Sequence, residues 1–179
     1  MALTWKQCKL GELGYTYNGL SGKSKGDFGH GEAKYITYIN IFENPLAQTN
    51  GVESIEIDQS QNEVKYGDVF FTTSSETPEE VGMSSVWLGN EKDIYLNSFC
   101  FGYRLIEPIN YIFFAYLLRS PSFRSQIIIL AQGISRYNIS KNKVMELITH
   151  IPSLEEQSKL EGAFLLIEKL ITLHQCKCF

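Results

Sequence analysis

Short apolar runs alternate with polar residues between residue 35 and about residue 106. The runs are rich in aromatic and β-branched side chains, and Asn, Gly, Asp and Pro residues separate them. This pattern predicts five strands, over residues 35–41, 52–57, 68–73, 85–88 and 99–106. We expect these strands to form a curved, mostly antiparallel sheet.

The period of the apolar positions changes after residue 106, where two helices are predicted. Asn110 can cap the first helix, which runs over residues 111–119. Ser120 can cap the second, Pro121 suits its first helical position, and the helix is expected to end near Gly133. Strands followed by packed helices are typical of an α+β fold, which is the fold class that we predict.

A longer helix is predicted at the end of the chain. Ser153 and Glu156 form a capping box, because the serine oxygen can accept from the backbone N–H three residues on while the glutamate reaches back. Beyond this box, mostly apolar side chains recur along one face; these are Leu160, Phe164, Ile167, Leu170, Ile171 and His174. Such a stripe packs back on its own domain or pairs with a second helix, and the pattern leaves both open. We therefore divide the chain into a domain of residues 1–152 and a helical segment of residues 153–179.

The composition is that of an ordinary globular domain. Of the 179 residues, 44% are hydrophobic and 20% are charged, which excludes a disordered, collagenous or disulfide-scaffold class. The apolar runs are far shorter than a membrane span, and the N-terminus lacks the pattern of a signal peptide, so we expect a cytoplasmic protein without membrane contact. The four cysteines form no CxxC pair, and we predict neither a metal nor a cofactor.

Charge is unevenly distributed along a chain whose net charge is -4. Residues 101–150 contain six Arg or Lys and two acidic residues, whereas residues 51–100 contain two Lys and ten acidic residues. This asymmetry favours a positive face that can contact phosphate on an otherwise acidic protein. A solvated mixture of both signs is the alternative that charge alone leaves open.

One short stretch imitates a nuclease. Asp58, Glu63 and Lys65 have the order of the acid and Glu-x-Lys set with which many nucleases hold a metal ion and activate water. The same residues also fit a polar turn between two strands. A metal-dependent nuclease is therefore the alternative function from another class.

Four motifs occur in a fixed order, over residues 67–75, 98–102, 133–140 and 151–157. The first is Gly-Asp-Val-Phe-Phe-Thr-Thr-Ser-Ser, the third contains Arg-Tyr-Asn-Ile-Ser, and the fourth is Ile-Pro-Ser-Leu-Glu-Glu-Gln. Together they resemble the specificity subunits of Type I restriction-modification systems, and the similarity extends over residues 5–175.

The resemblance implies a target recognition domain of α+β fold followed by a long helix. In that family two such domains and two such helices bind a two-part DNA sequence, while partner subunits methylate and cleave. This chain has one copy of each, so the resemblance implies a non-catalytic half-subunit that dimerises on double-stranded DNA. A methylation subunit and a restriction or translocase subunit are the implied partners. Because the sequence stops at Phe179, its helix is expected to be a shortened form of the family's helix.

Cations for phosphates and short polar side chains for base edges are what a recognition domain needs. We therefore expect DNA contacts from three segments, each of which also fits an ordinary polar loop. The residues are Lys23 and Lys25, then Ser74, Ser75 and Thr77, and then Arg136, Tyr137, Asn138, Lys141 and Lys143.

The apolar stripe defined above is the predicted dimer contact. From Ser153 to Gln175 the helix would extend for about 34 Å at 1.5 Å per residue, which is near one turn of DNA. Two-fold symmetry and the family's two-helix spacer both favour antiparallel pairing of two copies.

Overall fold

The computed structural model describes residues 5–176. In this part of the chain there are six α-helices: α1 (Leu10–Leu13), α2 (Tyr38–Glu43), α3 (Tyr111–Arg119), α4 (Pro121–Leu130), α5 (Lys141–Met145) and α6 (Leu154–Cys176). The strands are β1 (Lys6–Lys9), β2 (Gly14–Asn18), β3 (Phe28–Ile36), β4 (Leu46–Ala47), β5 (Val52–Ile55), β6 (Val69–Thr72), β7 (Ser74–Ser75), β8 (Ser84–Trp87), β9 (Ile94–Leu96), β10 (Cys100–Leu105), β11 (Tyr137–Asn138) and β12 (Ile148–Ile151).

Most neighbouring strands are antiparallel, and they are divided among four sheets. The largest sheet has the order β2-β10-β6-β8-β4, and a second has the order β5-β3-β9. The β4–β8 and β3–β9 pairs are parallel. Two-stranded ribbons join β1 to β12 and β7 to β11. This architecture, with its packed helices and long α6, confirms the predicted α+β fold, although the strands are shared among several sheets.

The strand β6 lies between two apolar cores. Phe71 packs in one core with Phe114 of α3, whereas Phe70 packs in the other with Ile41 of α2 and Trp87 of β8. The two phenylalanines face opposite cores because successive side chains of a strand point to opposite faces of the sheet. As a result, α2 covers one face of the central sheet, and α3 and α4 cover the other.

The strand predicted over residues 35–41 is partly wrong. The strand β3 ends at Ile36, and α2 begins at Tyr38. Thr37 caps this helix, since its hydroxyl oxygen accepts a hydrogen bond from the backbone N–H of Asn40 at 3.2 Å. The alternation of apolar and polar side chains here therefore belongs to a short helix, whose Ile41 is buried while Ile39 is exposed.

The predicted helices are confirmed by their caps. Asn110 accepts from the N–H of Phe113 at 2.9 Å, and α3 follows it. Ser120 caps α4, which ends at Leu130, a few residues before the predicted position. At the start of α6, the Ser153 hydroxyl accepts from the N–H of Glu156 at 3.3 Å, and the glutamate carboxylate accepts from the N–H of Ser153 at 3.1 Å. No helix within residues 5–176 is long and apolar enough to cross a membrane.

The first turns of α6 pack on α3 of the same chain. The side-chain oxygen of Gln157 accepts from the backbone N–H of Asn110 at 2.8 Å, and Glu161 accepts from the Asn110 side chain at 2.7 Å. One turn further on, the ring centroids of Phe164 and Tyr116 are 4.8 Å apart. The start of α6 is thus held by the domain, and its later turns extend beyond this contact.

Candidate nucleic-acid interface

A short ladder joins two segments that are far apart in the sequence. Ser74 and Ser75 of β7 pair antiparallel with Asn138 and Tyr137 of β11. Next to the ladder, the backbone N–H of Ile139 donates to the carbonyl oxygen of Thr73 at 3.1 Å. The structure therefore brings together the predicted residues of the second and third segments.

Loops at the ends of other strands extend this surface. The Lys141 ammonium donates to Oδ1 of Asn18, at the end of β2, at 2.7 Å. Thr73 donates to the carbonyl oxygen of Phe99, which precedes β10, through both its N–H at 3.0 Å and its hydroxyl at 2.8 Å. We call the surface formed by residues 18–21, 73–75, 97–99 and 136–141 the ladder face.

The loop that carries Arg136 has a defined shape. Gln132 and Asn138 exchange backbone hydrogen bonds at 3.0 and 2.8 Å, and these bonds close the loop. Gly133 has φ +146, and a Cβ there would lie 1.9 Å from the carbonyl oxygen of Arg136. Glycine is therefore required at the position that turns the chain toward Arg136.

An aromatic cavity of about 400 Å³ adjoins the ladder face. Its lining comes from α2, from the segment after β7 and from the loop before β10, and consists of Tyr38, Ile39, Phe42, Ser74, Ser75, Glu76, Glu80, Phe99 and Arg136. The Tyr38 hydroxyl donates to the carbonyl oxygen of Ser74 at 2.8 Å, which joins α2 to the ladder. Ile39 is 57% exposed and Phe99 is 62% exposed, so apolar groups meet solvent at this cavity.

This cavity was not predicted from the sequence. Residues 38–41 were predicted to lie in a strand, and no role was predicted for Glu76 or Glu80. The exposed Phe99 lies in one of the four family-like motifs, and that motif was the available signal for this part of the surface.

Three of the predicted DNA contacts need correction or refinement. Ser75 is only 6% exposed, and its hydroxyl donates to Oε2 of Glu80 at 3.1 Å, so it faces the protein. Lys23 is also engaged, because its ammonium donates to Oδ2 of Asp58 at 2.7 Å. Lys25 is exposed, but it lies in a 3-10 turn beside β5 and not on the ladder face as we define it.

The remaining predicted contacts are accessible. Ser74 and Tyr137 are half-buried, and Thr77, Asn138 and Lys143 are exposed. Arg136 is exposed as well, and within the described residues the side chains of Arg136 and Lys143 make no hydrogen bond or ion pair. Both cations are thus available to an external anion.

The proposed nuclease set is not supported. Both carboxylate oxygens of Asp58 accept hydrogen bonds, from Ser60 on one side and from Lys23 and Gln61 on the other. These bonds hold the pKa of Asp58 well below its usual value. Glu63 is engaged separately with the backbone N–H of Asp93 at 3.0 Å. Among the described side chains, no group of three or more His, Cys, Asp or Glu residues is arranged to hold a metal ion.

Half of the cations in the basic segment 101–150 are structural. Arg104 forms two hydrogen bonds with the carboxylate of Asp68, from Nε at 2.8 Å and from Nη2 at 2.6 Å. This contact raises the pKa of Arg104. Asp68, from the Gly-Asp-Val motif, is 1% exposed and also accepts from the Tyr17 hydroxyl at 2.7 Å. Asp68 therefore supports the fold and does not reach the surface.

Two further arginines hold the walls of the aromatic cavity. Arg119 donates to four carbonyl oxygens at the end of α2, of Ile41, Phe42, Glu43 and Asn44, at 2.7 to 3.3 Å. Burial lowers the pKa of Arg119 to about 10, so the side chain is still charged at neutral pH. Arg124 donates to the carbonyl oxygens of Glu79, Val81 and Gly82, each at 2.7 Å, and so anchors the segment after β7. The predicted positive face is consequently reduced to Arg136, Lys141 and Lys143.

The stripe on α6 is divided between two environments. Leu160 and Phe164, two of the predicted dimer contacts, are half-buried and line a cavity of about 820 Å³ with residues of α3 and α4. Ile167, Leu170 and Ile171 are about half exposed or more. His174 is exposed too, near the end of the described part.

Comparison with known proteins assigns the family. The model of the Type I restriction modification DNA specificity domain matches residues 3–174, and the chain belongs to this family. A search of curated protein sequences finds no match.

Solved structures share the fold at low sequence identity. The S subunit of the Type I restriction-modification system of M. genitalium has 16% identity and a TM-score of 0.63, and the match covers 94% of this chain and 40% of that one. The HsdS subunit of Thermoanaerobacter tengcongensis has 16% identity and a TM-score of 0.68, with 97% and 39% covered. A third structure, from work on complex assembly and conformational transition of the type I R-M system, has 16% identity and a TM-score of 0.71, with 99% and 41% covered. The chain thus spans about 40% of the length of the S subunits that it matches.

Proposed function

We propose that this chain is a non-catalytic, sequence-specific DNA recognition module of a Type I restriction-modification system. The observation that carries the proposal is the ladder face. There, Ser74 and Asn138 lie in one ladder, and Arg136 and Lys141 flank it. Cations can bind phosphates and so position the protein on DNA, and the polar groups beside them can contact base edges. Membership in the DNA specificity domain family supports this reading.

Partner subunits would supply the chemistry. In this proposal the module directs a methylation subunit and a restriction or translocase subunit to the target sequence, and it works in the cytoplasm. The structure from work on complex assembly of a type I R-M system supports such partners, because this chain shares its fold.

We further propose that the module acts as a homodimer through α6. The chain covers about 40% of each solved S subunit, so two copies would account for about 80% of one such subunit. Ile167, Leu170 and Ile171 offer apolar surface beyond the turns that pack on α3. An antiparallel contact would therefore be centred on the second half of the helix.

A binding experiment tests the recognition function. The full chain is incubated with random DNA duplexes, bound duplexes are sequenced, and affinities are measured at several salt concentrations. Arg136→Ala and Lys141→Ala should weaken binding to all sequences and each reduce the salt slope by about one unit.

Lys92→Ala is the matched control, because this exposed lysine lies next to β9 and outside the ladder face. It removes the same charge and should leave the slope unchanged. If the chain selects no sequence, or if all three variants behave alike, the assignment of the ladder face is wrong.

A further inference from the structure

A carboxylate lies at the border between the ladder face and the aromatic cavity. Oε2 of Glu80 accepts a hydrogen bond from the hydroxyl of Ser75 at 3.1 Å, and Ser75 is buried within β7. Oε1 of Glu80 has no hydrogen-bond partner among the residues of the described structure. One carboxylate oxygen is therefore held by the ladder, and the other is left for an external donor.

The backbone around Glu80 is also held in place. Its N–H donates to the carbonyl oxygen of Thr77 at 3.3 Å, which closes a turn. Arg124 binds the carbonyl oxygens of Glu79 and Val81, the residues on either side of Glu80. Because the backbone on both sides of Glu80 is held, the residue loses little conformational entropy when it binds a ligand.

A negative charge is unfavourable on a surface that approaches phosphates. Arg136 lines the same cavity and offsets part of this charge without forming an ion pair with Glu80. A carboxylate can only accept hydrogen bonds. The donors that duplex DNA offers in its major groove are the exocyclic amino groups, and Glu is a known partner of the cytosine N4 amino group.

We propose that Glu80 is a specificity-determining residue that accepts a hydrogen bond from the exocyclic amino group of a base. The proposal rests on the proposed function, since it names what one part of the DNA-binding surface reads. The donor is N4 of cytosine or N6 of adenine, which share this chemistry. Ile39 and Phe99 provide exposed apolar contacts beside it, and Ser75 acts as a positioning residue.

The test begins with the sequence that the wild-type full chain selects from random duplexes. At each position of that sequence, cytosine is replaced by 2-pyrimidinone and adenine by purine, which lack the amino group. Wild type should lose about 10-fold or more in affinity at one position when the amino group is removed there. Glu80→Ala should bind both forms of that duplex equally, apart from any effect of duplex stability.

Glu79→Ala is the matched control, because it removes the same charge from the neighbouring residue, whose side chain does not line the cavity. Both variants relieve repulsion from phosphates, but Glu79→Ala should keep the wild-type discrimination. The replaced base at the sensitive position also shows whether cytosine or adenine is read.

Glu80→Gln keeps an acceptor for the Ser75 hydroxyl. It therefore provides a second test in case the alanine variant does not fold. It should fold like wild type and shift the preference at that position toward adenine, which glutamine reads. If a folded Glu80→Ala discriminates against the amino-free bases as wild type does, the proposal is overturned. If the wild-type chain selects no sequence at all, the proposed function itself fails, and that outcome is distinct.

Discussion

Asp68→Asn replaces a buried carboxylate by an amide of nearly the same size. The carboxylate accepts two hydrogen bonds from Arg104, at 2.8 and 2.6 Å, one from the Tyr17 hydroxyl at 2.7 Å and one from the N–H of Lys65 at 2.8 Å. The carboxylate accepts all four bonds from these three residues, so the NH₂ group of asparagine would face donors on one side. The substitution also removes the charge that compensates Arg104, which is itself largely buried.

The expected cost follows from these contacts. Breaking a buried ion pair by changing one partner destabilises a protein by about 3–5 kcal/mol. Such a loss is a large part of a total stability of about 5–15 kcal/mol. Arg104 keeps its bond to the carbonyl oxygen of Glu63 at 3.0 Å and its position over the Tyr17 ring, and these contacts favour the lower part of the range.

Urea unfolding at neutral pH measures this difference by linear extrapolation. Asp93→Asn is the control, because it makes the same chemical change at an exposed residue with φ 55, a conformation that asparagine tolerates. It should change the free energy of unfolding by less than about 0.5 kcal/mol. A loss below about 1 kcal/mol for Asp68→Asn would refute the reasoning. So would a changed DNA preference in the folded variant, since Asp68 is placed in the interior.

Three further predictions address the dimer, the ladder loop and pH. Ile167→Asp should turn a homodimer into monomers in sedimentation and weaken DNA binding, whereas a wild-type chain that is monomeric at high concentration would contradict the dimer. Gly133→Ala should cost about 1–3 kcal/mol in urea unfolding because of its positive φ and should weaken DNA binding, and a neutral result would show that the loop can rearrange. Hydrogen bonds to the Gly26 carbonyl and to Glu56 raise the pKa of His30 above its usual value. The stability that these bonds provide is therefore present below the unfolded pKa and lost as pH rises through the folded one, and an NMR titration giving an unshifted His30 would contradict this.

The sequence by itself determined the elements whose signals are local. The caps at Asn110, Ser120 and Ser153 each act on a backbone N–H three residues away, so the pattern of a few neighbouring residues was sufficient to predict α3, α4 and α6. The same locality explains the error at α2. There the apolar spacing fits both a strand and a short helix, and the cap at Thr37 decides between them.

The role of each cation was decided only by the tertiary structure. Residues 101–150 are basic by count, yet Arg104 pairs with Asp68, which lies 36 residues away in the sequence. Arg119 meets carbonyl groups that lie 75 to 78 residues away. Charge counting cannot separate such arginines from Arg136, because the difference lies in which distant acceptors the fold brings within hydrogen-bond distance.

The candidate site, too, was decided by the tertiary structure. Sequence motifs indicated Ser75 and residues 136–138 separately, but their pairing in the β7–β11 ladder depends on a contact between segments about 60 residues apart. That ladder buries the Ser75 hydroxyl, and the hydroxyl in turn holds Glu80 beside the aromatic cavity. The sequence therefore determined which residue types were available for recognition. Only long-range pairing decided which of them face the interior and which meet solvent, because burial depends on neighbours that the chain supplies from elsewhere.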